Sequence, residues 1–239
     1  MLLPNTAKRR LRCCNSCCAR LTEARAGLCV RTIDSGGSEA VHWLVELPAS
    51  LWRCLANITE LHMENTNLRA LPPAVEQLKG LRVLNLTSNR LTQLPSALGN
   101  CAALEQLLLG CNALHQLPPT LGQLVSLTRL DVSANRLLGV GPWIKQLVNL
   151  QELDLSDNRM FASETLAYVC PPTMARLRLA HIKLGAVPPH VWKFTALTEL
   201  SVAHAGMQQL APKVTAPCAC AKRRTYLVVF KAVTHTLCL

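Results

Sequence analysis

Leucine or a close aliphatic substitute returns along this chain at one fixed step: Leu81, Leu104, Leu127 and Leu150 each open the same alternation of apolar and polar positions. The four units read LRVLNLTSNRLTQLP, LEQLLLGCNALHQLP, LTRLDVSANRLLGVG and LQELDLSDNRMFASE, and all fit LxxLxLxxNxLxxLP to varying degree. The same frame, one step earlier, holds Ile58, Leu61, Met63, Leu68, Leu71 and Pro72, with Thr66 where Asn is expected. After Leu150 one extra residue is needed before the frame resumes at Met174 (Leu177, Leu179, Leu184, Val187, Pro188) and at Leu197 (Leu200, Val202, Met207, Leu210). A half unit, LVELPASLWRC, starts at Leu44. Such a period predicts stacked coils over residues 34–212, seven to eight units in all.

The spacing has a physical cause. Within LxLxx, alternate side chains leave a short strand on opposite faces, so positions 4 and 6 of each unit point inward and positions 3, 5 and 8 outward. One unit cannot enclose its own leucines; neighbours stack with parallel strands roughly 4.8 Å apart and share one core. The expected fold is therefore α/β: a solenoid with a curved parallel sheet on its concave side and short helical or irregular convex segments. Asn89, Asn112, Asn135 and Asn158 stand at position 9, where the chain leaves the strand. Their amides can satisfy turn backbone groups, at about 1 kcal/mol net per bond. Ile182 and Ala205 take that position in the last two units and cannot do so, which predicts fraying at the C-terminal end.

The 23-residue step, LxxLxLxxNxL and the following Leu94-Pro95, Leu117-Pro118 and Val187-Pro188 resemble the cytosolic leucine-rich repeats of Ras-suppressor, adenylyl-cyclase-associated and plant intracellular Ras-group proteins. The resemblance covers about three quarters of the chain. It implies a protein-binding scaffold in signalling, with a partner that differs from member to member. The pattern breaks over residues 162–173, where no Leu-Pro follows Met160, and a local bulge is expected there.

Charge separates by region. Residues 1–31 carry seven Lys or Arg against the single acid Glu23, and residues 213–239 carry five Lys or Arg and no acid. Together these account for the whole net charge of +11, so the repeats between them are neutral. A nucleic-acid-binding solenoid lines its groove with Lys and Arg; a neutral array argues against nucleic acid as partner, while the basic flanks suit peripheral contact with an anionic membrane. No apolar run approaches the length of about 20 residues needed to span a bilayer. After Met1, Leu2 and Leu3 come Pro4, Lys8, Arg9, Arg10 and Arg12 rather than an apolar signal segment, which predicts a cytoplasmic chain.

Three segments follow: a basic, Cys-rich N-terminal stretch 1–33, expected to be disordered; the repeats, 34–212; and a basic non-repeat tail, 213–239. In the tail, Tyr226 to Phe230 either cover Leu200 and Val202 or leave the last coil open. Of the twelve cysteines, Cys54 and Cys101 take a position otherwise held by Leu78, Leu124 and Leu147, and read as core side chains. Cys13, Cys14, Cys17 and Cys18 form the one dense cluster, set among Lys8, Arg9, Arg10, Arg12 and Arg20. A zinc site built from adjacent Cys pairs is awkward to close. Reversible S-acylation beside basic residues would combine two weak membrane signals into a stable anchor.

The outward columns are where function is expected. The middle of the array gathers Arg129, Asp131, Glu152, Asp154 and Asp157, and the next unit adds Arg176, Arg178 and His181. These eight form the candidate contact patch; the competing reading is that they pair with one another as a solvated charged face. Trp52, Trp143 and Trp192 fall on the convex side and read as packing residues. No catalytic pair is found: Cys111 and His181 share a column but lie three repeats apart, about 15 Å by strand spacing. His181 and His204 are neighbours without an evident third metal ligand, and no cofactor motif is present. The sequence thus predicts a non-catalytic interaction scaffold in intracellular signalling, with a membrane-peripheral scaffold, or the repeat region of a larger signalling enzyme, as alternatives.

Overall fold

In the computed structural model, ten strands form one parallel sheet in strict chain order: β1 Arg10–Arg12, β2 Thr32–Asp34, β3 Glu60–His62, β4 Val83–Asn85, β5 Gln106–Leu108, β6 Arg129–Asp131, β7 Glu152–Asp154, β8 Arg176–Arg178, β9 Glu199–Ser201 and β10 Leu227–Val229. The structure describes residues 10–12, 32–34, 56–160, 171, 173–182, 196–204 and 227–229, with β1, β2 and β10 described through their backbone. Each strand pairs with the next without a register shift, so Leu61, Leu84, Leu107, Leu130, Leu153, Leu177 and Leu200 stand in one row. Strands β3 to β9 are the LxL segments of the seven repeated units. The sheet also runs past them: the expected boundary at residue 34 falls inside β2, and β10 sets Val228 beside Leu200.

The core has the communal form that the period demands. Every described position 4 and position 6 side chain is buried, from Leu61 and Met63 to Leu200 and Val202. Each such leucine contributes about 1.5–3 kcal/mol by leaving water, but only because a neighbouring coil closes over it. Opposite the sheet run short 3-10 turns at Pro73–Gln77, Ser96–Asn100, Pro119–Gln123 and Pro142–Gln146. A proline at the start suits the fixed φ and the missing N–H there, and the brevity of the turns keeps each coil short. Leu78, Cys101, Leu124 and Leu147 follow these turns as fully buried residues, so Cys101 is a core side chain as expected. Trp143 is buried too, its indole folded back so closely that a Cβ on Gly141 would lie 2.6 Å from Cδ1. Cys54, Trp52, Trp192 and nearly all of the expected bulge at 162–173 lie outside the described residues.

The position 9 asparagines bind two coils at once. Asn135 is 6% exposed; its Oδ1 accepts from the Leu114 amide (2.9 Å), and its Nδ2 donates to the carbonyls of Leu109 (2.9 Å), Val132 (3.1 Å) and Ser133 (3.0 Å). Asn89, Asn112 and Asn158 repeat the arrangement. Thr66 shortens it, its hydroxyl bonding to the Met63 carbonyl and to Asn89 Oδ1 (2.8 Å). Ile182, buried at the same position in β8's unit, has no such group, and the ladder ends at Asn158.

Candidate functional site

The sheet register decides which outward residues meet. At position 3, Arg129, Glu152, Arg176 and Glu199 stand side by side with alternating charge; at position 5 the row is Asp131, Asp154, Arg178 and Ser201, without alternation. The first row forms a chain of contacts. Arg129 Nε lies 3.6 Å from Glu152 Oε2, and Arg176 Nη1 donates to the other oxygen of the same carboxylate. Arg178 reaches two ways, with Nη1 3.8 Å from Asp154 Oδ2 and Nε donating to Glu199 Oε1 at 3.2 Å. All these side chains keep contact with solvent, and exposed pairs of this kind stabilise by about 0–1 kcal/mol each. The three arginines are thus already engaged by carboxylates of this chain.

The carboxylates are not all matched. Asp131 faces Asp154 directly across β6 and β7, an arrangement of like charges that is unfavourable in a sheet. Asp131 Oδ1 accepts from the Ser133 amide (3.0 Å) and hydroxyl (2.7 Å), and among the described residues no cation pairs with it. Burial pushes the Asp154 carboxyl above the usual carboxylate range; the Ser156 amide and hydroxyl oppose this, the Asp131 charge adds to it and Arg178 opposes it. Together Arg129, Leu130, Asp131, Glu152, Leu153, Asp154, Arg176 and Arg178 line one shallow depression on the concave face.

Asp157 and His181 belong to a separate column at the strand exit. Position 8 has a left-handed backbone in every described unit, with φ between 49° and 57° at Asn65, Ser88, Cys111, Ala134, Asp157, His181 and His204. A non-glycine residue here is strained by its Cβ, and turn bonding between coils offsets the strain: the Asp157 amide donates to Ala180 and the His181 amide to Ala203. Stacked imidazoles of His181 and His204 lie 4.7 Å apart at 18°. Among the described residues no three His, Cys, Asp or Glu side chains converge on a point that could hold a metal. Of the eight patch residues expected from the sequence, six come together in the depression, and Asp157 and His181 are not among its lining residues. Cys13, Cys14, Cys17 and Cys18 lie outside the described residues.

Two features escaped the sequence reading. The pair Asn or Asp at position 5 with Thr or Ser at position 7 closes a local turn, seen at Asn85 with Thr87, Asp131 with Ser133 and Asp154 with Ser156. That two-residue spacing is visible in the sequence and is a known turn signal. The other is at the N-terminal end, where His62 lies between Glu60 (3.6 Å) and Glu64 (3.7 Å), and Glu64 accepts from Asn85. Between this cluster and the charged patch, β4 and β5 present Val83, Asn85, Gln106 and Leu108, a stretch without charge. On the far side of the coil a cleft of about 620 Å³ is lined by Gln116, Leu117, Pro119, Trp143 and neighbours. Among the described residues no helix is long and apolar enough to cross a membrane.

The leucine-rich-repeat family pattern matches residues 56–114 and 102–160. No curated protein sequence matches the chain. Among solved structures, the leucine-rich-repeat protein LIC12759 of Leptospira interrogans is similar over 84% of this chain at 23% identity and a TM-score of 0.64. A plant peptide hormone receptor, RGFR1 in complex with RGF2, is similar over 65% of the chain at 26% identity and a TM-score of 0.54. The PEPR1-AtPEP1 structure is similar over 69% at 30% identity and a TM-score of 0.52. The chain spans 54% of the Leptospira protein and 26% and 23% of the other two. Repeated units in one register, a single parallel sheet, the asparagine ladder and these matches agree: the chain is a leucine-rich-repeat protein.

Proposed function

We propose that this chain is a non-catalytic interaction scaffold that holds a partner protein on the concave face of β3 to β9, in intracellular signalling. The observation that carries the reading is the opposed pair Asp131 and Asp154, two carboxylates set side by side on an open sheet face where a folding-only role would favour opposite charges. Support comes also from the solved structures of similar fold, one of which is a peptide hormone receptor in complex with RGF2. The partner contacts Arg129, Asp131, Glu152, Asp154, Arg176 and Arg178, and reaches Asp157 and His181 at the strand exit. Affinity capture compares the wild-type chain with Asp154→Arg and Arg178→Asp, each checked for folding by circular dichroism. Loss of the same captured protein with both variants is expected; capture unchanged by either would leave the charged residues as a solvated surface only.

A second reading rests on the sequence cluster Cys13, Cys14, Cys17 and Cys18 amid Lys and Arg, which suits an acylated, membrane-peripheral scaffold at the cytoplasmic leaflet. Acyl-biotin exchange on cells expressing the chain tests it. Hydroxylamine-sensitive labelling of residues 13–18 is expected, and its absence removes the anchor.

A further inference from the structure

The partner's chemistry is written in one row of the sheet. Position 5 of β5, β6 and β7 holds Leu108, Asp131 and Asp154, which stand in register as direct neighbours. Leu108 is a partly exposed aliphatic side chain on the concave face, with no charge on its own strand. Asp131 and Asp154 repel each other across one strand spacing. The surrounding arginines do not resolve this, because Arg129 and Arg176 are taken by Glu152, and Arg178 is shared between Asp154 and Glu199. A carboxylate or phosphate arriving at this row would add a further like charge. A cation arriving between the two aspartates would remove the repulsion already present. Gly110 packs closely under the Asp131 turn: a Cβ there would sit 3.4 Å from Asp131 Oδ1 and 3.1 Å from Ser133 Oγ.

Spacing then sets the sequence of the ligand. The midpoint between Asp131 and Asp154 lies one and a half strand spacings from Leu108, about 7 Å, and an extended chain advances about 6.7 Å over two residues, which also share a face. We propose that the concave face takes an extended peptide segment of a partner protein in which an aliphatic residue and an Arg or Lys are separated by one residue, the aliphatic side chain on Leu108 and the cation between Asp131 and Asp154. This deepens the scaffold reading and rests on it. Either chain direction satisfies the spacing.

The test is selection of a displayed library of random linear peptides on the purified chain. Enrichment of sequences with an aliphatic and a basic residue one apart is expected. On D131N/D154N the preference for the basic residue disappears, and on Leu108→Ser the aliphatic preference disappears. One enriched synthetic peptide, titrated by fluorescence anisotropy, loses at least tenfold in affinity on the double variant. Should that variant fail to fold, the same titration on wild type from low to high salt takes its place: several-fold weakening is expected, and salt-independent binding contradicts a charged contact. Enrichment of acidic peptides, or of the same motif on folded D131N/D154N, overturns the proposal. Self-association of the wild type that D131N/D154N abolishes gives the face to a second copy and also overturns it. Enrichment without a basic preference that Leu108→Ser still abolishes would sink this proposal and keep the scaffold reading; enrichment indifferent to every concave substitution would sink both.

Discussion

Asn89 Nδ2 donates at 2.7 Å to the carbonyl of Met63 in the preceding coil, while its Oδ1 accepts from the Leu68 amide at 2.8 Å. A single side chain thereby ties the strand exit of its own unit to the backbone of the one before. The asparagine at position 9 is a fastening between coils as well as a turn residue.

Replacing Asn135 by Ala leaves the buried Leu114 amide without its acceptor, while the Leu109 and Val132 carbonyls each lose one donor and keep another, from Asn112 and Asn158. The expected loss is about 1–3 kcal/mol, because an unsatisfied buried amide costs more than the net worth of a bond. Urea denaturation checks it; a loss below about 0.5 kcal/mol would mean that water replaces the amide.

Two glycines in the 3-10 turns respond differently to Ala. At Gly99 the new Cβ lies 2.3 Å from the Thr120 carbonyl oxygen, a backbone atom of the next coil, whereas at Gly122 the nearest atom, also at 2.3 Å, is the amide oxygen of the Gln146 side chain. The backbone cannot turn away, and the side chain can. Gly99→Ala is expected to destabilise by about 1–3 kcal/mol. Gly122→Ala costs less, because Gln146 can swing aside and leaves only a tight 3.1 Å approach to the Trp143 carbonyl oxygen. Thermal unfolding of the two variants side by side ranks them.

Asp154 supplies a pH signature. Its folded carboxyl titrates above the unfolded one, so the native state holds the proton more tightly and the associated stability is full below the ordinary aspartate value near 3.8. That stability is lost as pH rises through the folded titration. Asp154→Asn removes this dependence: the variant gains stability relative to wild type as pH climbs from about 3 to 7. Asp131→Asn lowers the Asp154 titration by removing a like charge. Urea midpoints across pH, with NMR titration of the carboxyl, check both signs.

Burial pushes the Cys101 thiol up to about 11, with Lys79 lowering and Glu76 raising it, and its Sγ lies 3.4 Å from the Val75 carbonyl oxygen. Cys111 is exposed. Iodoacetamide at pH 8 should therefore alkylate Cys111 in the native chain and reach Cys101 only after unfolding, as read by peptide mass spectrometry. Equal labelling of the two would contradict the core placement.

What could be read from the sequence follows from what repeats. Leu84, Leu107 and Leu130 recur at one interval because every coil solves the same burial problem, so strand, core and asparagine ladder were legible together. Cys101 betrayed its burial by standing in a leucine column. The pairing at Arg178 was less legible: one of its two carboxylates belongs to the coil before it and the other to the coil after it, and reach depends on rotamers and strand twist that no period encodes. The cluster of His62 with Glu60 and Glu64 was missed for a different reason. It breaks the column pattern, since Glu64 stands at a position held elsewhere by Thr87, Gly110 and Ser133.

Site, ladder and core all depend on units lying in chain order at a fixed step along one sheet. Pulsed electron resonance between spin labels carried on genetically encoded residues measures that order, with one label at His62 and the other at Asp154 or Ser201. Four and six strand spacings predict separations of about 19 and 29 Å before curvature, each a single narrow distribution. A His62 to Ser201 distance equal to or shorter than that from His62 to Asp154 would contradict the stacked sheet and everything built on its register.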